Sequence, residues 1–177
     1  MRKPVALTVV FVAGIWAVGA SFALGCGDKF VLIAGGARIN RSKFPSHVLV
    51  YMNPNSRVPA AEKEFHIEAT LVAAGHKATV VESQAEVDKA IASGKYDLVL
   101  ADTNDAPELR RQCGASASKP AVVPLLYKPT ADELAAAQKE ASCLARPSKK
   151  SSDLLAVIDE TMKDRSKGVA PNCPPAL

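Results

Sequence analysis

From residue 47 onward the chain alternates between short apolar runs and helical patterns, and this alternation is the feature that most limits its fold. The runs are four to seven residues long, and most of them are rich in Val or Leu, which is typical of a buried strand. Because consecutive parallel strands need a crossover, five such strand–helix units predict one parallel sheet covered on both faces. The predicted strands are residues 47–52, 77–82, 96–101, 121–127 and 142–145.

The segments between these runs carry helix signals. Ser83 and Glu86, and again Thr130 and Glu133, have the spacing of a capping box. Residues 60–74 are predicted as one helix that ends at Gly75, with Phe65, Ala69 and Val72 at helical spacing and Ile67, Leu71 and Ala74 beside them. Asp105 is the predicted cap of a short helix over 105–112, and residues 152–165 form the last predicted helix.

The number of units and the chain length favour an α/β fold, a flavodoxin-like doubly wound sheet of five parallel strands in the order 2-1-3-4-5. In such folds ligands bind at the carboxyl ends of the strands. Polar side chains follow the predicted strands there, and those after four of the five strands are the candidates for binding. They form the candidate ligand crevice: Asn53, Asp102, Asp105, Lys128 and Arg146.

The N-terminus predicts export. Arg2 and Lys3 precede a run without charges from Pro4 to Gly27, and small residues follow where a signal peptidase would cut, after Ala23 or Gly25. The second cut would leave Cys26 free for lipid attachment, and an uncleaved anchor is the alternative, because about 20 apolar residues span a bilayer. The predicted segments are 1–25, signal or anchor; 26–45, extension; 46–168, α/β domain; and 169–177, Pro-rich tail.

The four cysteines agree with an oxidising compartment. Cys26, Cys113, Cys143 and Cys173 are even in number and too widely spaced for a zinc ribbon or a C-x-x-C motif, so we expect disulfides and no metal site. The last three should lie at the amino ends of the strands. Disulfides among them, or to Cys26, would tie the extension and the tail to the base of the sheet.

Charge and composition argue against a nucleic-acid partner. Removal of Arg2 and Lys3 takes the basic residues from 22 to 20, against 18 acidic residues, so the mature charge is near +2. Aromatic residues make up only 5% of the chain, which leaves few platforms for base stacking.

Two stretches carry a family resemblance. "YDLVLAD" at 96–102 and "LARPSKKSSDLLAVIDETM" at 144–162 resemble the receiver domain of bacterial response regulators, over residues 46–166. The resemblance implies that Asp102 stands at the phosphoacceptor position. The family's acidic pair, which holds Mg²⁺, is replaced by Met52 and Asn53, and a thioether is a poor magnesium ligand. Leu126 or Tyr127 stands near the family's hydroxyl residue, and Arg146 replaces its lysine.

The resemblance therefore implies a degenerate receiver, with Asp102 as a vestigial position, no catalytic residue and no cofactor. We expect an exported, periplasmic or envelope-associated, non-enzymatic domain that binds an envelope protein partner. Receiver domains contact partners through their fourth helix, fifth strand and fifth helix, so the resemblance implies a contact surface around residues 131–165. Two alternatives stay open: a sensor of small anionic ligands that uses Lys128 and Arg146, and a working phosphoacceptor at Asp102.

Overall fold

A computed structural model describes residues 30–32, 38–147 and 151–169. The predicted signal segment, Cys26 and the tail beyond Val169 lie outside the described residues. The elements, in chain order, are β1 (Phe30–Leu32), β2 (Arg38–Asn40), β3 (His47–Tyr51), α1 (Val58–Phe65), α2 (Ile67–Ala73), β4 (Lys77–Val81), α3 (Gln84–Ala92), β5 (Leu98–Asp102), α4 (Ala106–Ala115), β6 (Ala121–Leu125), α5 (Ala131–Glu140) and α6 (Ser151–Ser166).

The predicted α/β class is confirmed by a sheet of four parallel strands in the order β4-β3-β5-β6. Successive side chains of a strand point to opposite faces, and the two faces carry separate cores. Val48 and Val50 of β3 pack with α1, α2 and α6, whereas Leu49 and Tyr51 pack with α3 and α4. This alternation explains why β3 and β5 read as continuous apolar runs, since both faces of the sheet are covered.

The fifth predicted strand is reduced to one bridge in the described part of the chain. Ala145 pairs in parallel with Leu125: its N–H donates to the carbonyl of Pro124 at 2.7 Å, and its carbonyl accepts from Leu126 at 2.8 Å. Pro124 has no N–H to give to a ladder, so it is tolerated only where that missing donor faces an edge. A proline in the middle of β6 thus limits how far residues 142–145 can pair with it.

The predicted helix over 60–74 is instead two helices, broken at His66. His66 has left-handed backbone angles, φ 48° and ψ 54°, and separates α1 from α2. The break turns Ile67 and Leu71 into the core, whereas Val72, predicted on the apolar stripe, is 56% exposed. The companion set Ile67, Leu71 and Ala74 is therefore the buried face.

The end of the predicted extension belongs to the core. β1 and β2 form a small antiparallel pair, and Ile39 of β2 is buried among the side chains of α2 and α6. The N–H of Ser42 donates to the carbonyl of Ala74 at 2.8 Å, and its hydroxyl donates to the carboxylate of Asp159. These contacts join residues 38–45 to the α/β domain.

The two described cysteines differ in state. Cys113, expected in a disulfide, has a free thiol on α4 that is buried in the core between α3 and α4. Cys113 follows Leu109 by one helical turn, so both residues lie on the buried face of α4. Cys143 is buried and disulfide-bonded. Over the described ranges, no helix has the length and apolar character needed to cross a membrane.

Candidate functional site

Asp102 ends β5, as predicted, and its carboxylate is engaged by neighbouring groups. The residue is only 6% exposed. Its Oδ1 accepts the N–H of Asn104 at 2.9 Å and lies 3.4 Å from the hydroxyl of Thr103. Its Oδ2 lies 3.5 Å from the N–H of Arg57, the residue that precedes α1. The carboxylate thus joins its own turn to the start of the helix that follows β3.

Asn53 and Asp105 form a second pair beside Asp102. The amide nitrogen of Asn53 lies 3.1 Å from each carboxylate oxygen of Asp105, and its Oδ1 accepts the N–H of Asn55 at 3.0 Å. Burial, and then the charge of Asp102, raise the pKa of Asp105, while the hydrogen bond from Asn53 opposes the shift. Asp105 stands at the N-cap position of α4, as predicted, but its side chain makes no capping hydrogen bond.

Arg57 is a member of the site that the sequence interpretation missed. Its guanidinium donates to both oxygens of Glu133, at 2.7 and 3.0 Å, and to the carbonyl of Lys128 at 3.2 Å. It connects the start of α1 to the start of α5 across the carboxyl ends of the strands. No local sequence signal marked Arg57, because its partner Glu133 is 76 residues away along the chain.

Lys128 contacts Glu64 of α1 and the ring of Tyr127. Its Nζ lies 2.7 Å from Glu64 and 4.7 Å from the centre of the Tyr127 ring. The hydroxyl of Tyr127 donates to the same carboxylate. Hydrogen bonds from Lys128, and then from Tyr127, lower the pKa of Glu64. The pKa of Lys128 is raised, first by its hydrogen bond to Glu64 and then by its interaction with Tyr127. An anionic ligand at Lys128 would therefore have to compete with Glu64.

The residues at the family's metal positions do not supply metal ligands. Met52 is buried in the core with the helices on one face of the sheet, and Asn53 uses its amide nitrogen as a donor. In the described ranges, no group of three or more His, Cys, Asp or Glu side chains is arranged to hold a metal ion. The donor set therefore does not fit the magnesium of a receiver site.

The structure brings Asn53, Asp102 and Asp105 together, with Arg57 beside them. Lys128 belongs to a separate cluster with Tyr127 and Glu64, and half-buried Arg146 directly follows the Ala145 bridge. The carboxyl ends of the strands are thus cross-linked by hydrogen bonds and ion pairs between side chains of different loops. Such an arrangement can fix loops and hold a surface in place. The carboxylate of Asp102 takes part in it through Asn104 at 2.9 Å and, more weakly, through Arg57 at 3.5 Å.

No protein-family model, no curated protein and no solved structure matches this chain.

Proposed function

We propose that this protein is an exported, non-enzymatic, receiver-like domain that acts as a protein-binding or assembly module in the cell envelope. The strand order β4-β3-β5-β6, with the Ala145 bridge beyond β6, supports a flavodoxin-like plan of order 2-1-3-4-5 whose fifth strand is shortened. The disulfide at Cys143 supports an oxidising compartment, in agreement with the signal-like N-terminus.

The observation that carries the proposal is the state of the Asp102 carboxylate. Both of its oxygens lie against backbone N–H groups, of Asn104 and Arg57, and the neighbouring amide of Asn53 bonds to Asp105. Phosphoryl transfer to a carboxylate needs a metal and a cation to neutralise charge at the reacting oxygens. At this site the oxygens of Asp102 instead have the geometry of a loop-capping carboxylate.

The face that we propose for the partner includes α5, which is held to the domain by a small contact. Ala137 packs against Leu126 and Leu144, with Leu134 partly buried, in a cluster separate from the two main cores. The exposed residues of this helix are a mixture of small, polar and charged side chains: Ala131, Asp132, Ala135, Ala136, Gln138, Lys139 and Glu140. A helix with a small buried stripe and such an exposed face can dock against a partner without large rearrangement of the core.

The first test is the intact mass of the natively exported protein before and after incubation with Mg²⁺ and acetyl phosphate. We expect no change in mass. A phosphate-sized increase that disappears in the Asp102→Asn variant would instead establish the working phosphoacceptor and contradict the proposal. The same spectrum reports the site of signal cleavage and any lipid on Cys26.

The second test addresses the binding surface. A photoreactive residue at position 135 should form a discrete crosslink to one envelope protein, and the same residue at exposed Ala85 of α3 should not, since α3 packs on the other main core. Equal crosslinking from both positions would contradict a specific surface on α5. A thermal shift with small carboxylates or phosphate that is lost in Lys128→Gln would favour the anion-sensor alternative.

A further inference from the structure

The strand β4 forms one edge of the four-stranded sheet, and no other strand of the described chain lies beside its outer side. At the opposite edge, β6 is extended by the bridge to Ala145. All five residues of β4 are exposed or half-buried, whereas all five residues of β5 are buried. The edge of the sheet at β4 is therefore the open one.

Only two residues of β4 turn their backbone groups to this outer side. In a parallel strand the N–H and C=O of one residue face the same side, and alternate residues face opposite sides. The N–H of Lys77 and the carbonyl of Val81 bond to the residues that flank β3, at 2.9 and 2.8 Å. Thr79, midway between them, faces β3 as well. Ala78 and Val80 consequently face outward, and within the described ranges their N–H and C=O groups have no hydrogen-bond partner.

The residues that continue this outward row at either end, His76 and Glu82, have their N–H groups engaged already. The N–H of His76 donates to the carbonyl of Leu71 at 3.0 Å. The N–H of Glu82 donates to the carboxylate of Glu86 at 3.1 Å. An antiparallel partner strand can therefore form its full set of hydrogen bonds only at the two residues between them, which are centred on Thr79.

We propose that two copies of this protein pair antiparallel along β4, about a two-fold axis at Thr79, and so form one continuous sheet. In this register Ala78 of each copy exchanges both of its N–H···O bonds with Val80 of the other copy, which satisfies every open N–H and C=O group of both edges. Registers centred on Ala78 or Val80 would instead place an open residue opposite His76 or Glu82, whose N–H groups are taken.

The side chains of the edge are complementary to those of a second copy. Antiparallel pairing opposes Lys77 to Val81 of the other copy and brings it within one residue of Glu82, so a basic and an acidic side chain meet at each end of the pair. Both of these charged residues are exposed, and opposite charges on neighbouring strands are stabilising. At the centre, the two Thr79 side chains lie directly opposite each other, and a Thr–Thr pair also stabilises an antiparallel sheet.

A two-fold pair of this kind is closed, because each copy uses its one open edge and neither edge remains for a third copy. The pairing is independent of the proposed envelope partner, since that partner is assigned to α5, which follows β6 at the other edge of the sheet. Failure of one proposal therefore leaves the other standing.

Engineered cysteines test the register. Opposite residues of a non-hydrogen-bonded pair have Cα atoms about 4.5 Å apart, which a disulfide can bridge, so Thr79→Cys should give a disulfide-linked dimer on mild oxidation. Lys77→Cys is the matched control, because position 77 is equally exposed but lies about 14 Å from its own copy in this register. The native protein, in which the free thiol described at Cys113 is buried, gives the background. Absence of a crosslink from position 79, equal crosslinking from both positions, or a crosslink from position 79 to a different protein would overturn the self-pairing.

Sedimentation velocity over a concentration series tests the association without a crosslink. The native protein should shift from monomer to dimer as its concentration rises. Thr79→Lys places two positive charges directly opposite each other and should raise the dissociation constant of the dimer roughly fivefold, whereas Thr79→Ser keeps the hydroxyl and should leave it nearly unchanged. Circular dichroism confirms that both variants are folded, as expected for an exposed position. A native protein that stays monomeric at every concentration, or a Thr79→Lys variant that associates as tightly as Thr79→Ser, would overturn the proposal.

Discussion

Replacement of Asp102 is the most direct test of the strand-end site. Its hydrogen bond to Asn104 is 2.9 Å long, whereas its contact with the N–H of Arg57 is 3.5 Å and therefore weak. Asp102→Ala removes the acceptor of both N–H groups at a residue that is only 6% exposed. A hydrogen bond to a charged group contributes about 1.5–3 kcal/mol, so we expect the free energy of unfolding to fall by about 2 kcal/mol.

Asp102→Asn separates the acceptor from the charge. The amide keeps one oxygen that can accept the N–H of Asn104, so we expect a loss of about 1 kcal/mol or less. Part of this loss is offset, because the charge of Asp102 contributes to the raised pKa of Asp105 and the repulsion disappears with it. The variant with alanine should thus be clearly less stable than the variant with asparagine.

Urea unfolding followed by circular dichroism at pH 7 measures both differences. Thermal midpoints should fall by about 4 °C per kcal/mol for a domain of this size. Asp88→Ala is the control, because this exposed carboxylate only accepts from Gln84 on the same helix and its loss should stay within about 0.5 kcal/mol. If Asp102→Ala unfolds like the native protein, or if both Asp102 variants lose the same stability, the capping interpretation is refuted.

Three further predictions concern the core. Burial lowers the pKa of His76 below its ordinary 6.5, with Asp159 opposing the shift. Because the unfolded state then binds more protons, the free energy of unfolding should fall below pH 6.5 by up to about 1.4 kcal/mol per pH unit. In urea unfolding at pH 7 and 5, His76→Gln should lack that part of the pH dependence. Leu71→Ala should cost about 2–5 kcal/mol and Val72→Ala less than about 0.5 kcal/mol in urea unfolding, and equal losses would contradict the break at His66. Burial raises the pKa of Cys113 to about 11, so mass spectrometry should detect iodoacetamide labelling of this thiol at pH 8 only after unfolding.

Local signals were sufficient for much of the fold. Both predicted capping boxes form, because the bonds between Ser83 and Glu86, and between Thr130 and Glu133, join residues three apart and need no distant partner. The central strands were recognisable because a strand buried on both faces is apolar throughout.

The elements that departed from prediction depend on tertiary contacts. A single helix over 60–74 would have suited local propensity, but burial of Ile67 and Leu71 against the sheet is reached through the left-handed turn at His66. Arg57 could not be assigned to the site from the sequence, since its partner Glu133 is 76 residues away and meets it only when α1 and α5 begin at the same edge of the sheet.

Asn53 explains how the polar groups at the carboxyl ends of the strands find hydrogen-bond partners within the chain. A carboxylate at this position would accept hydrogen bonds only, and beside Asp102 and Asp105 it would add a third negative charge that a bound cation would have to neutralise. The amide of Asn53 instead donates to Asp105 while its oxygen accepts from Asn55. Together with the ion pair of Arg57 and Glu133, it closes the loops with groups that the chain itself provides. The amide at position 53 therefore gives the loops at this edge an arrangement that the side chains of the chain itself hold in place, as the proposed binding module would require.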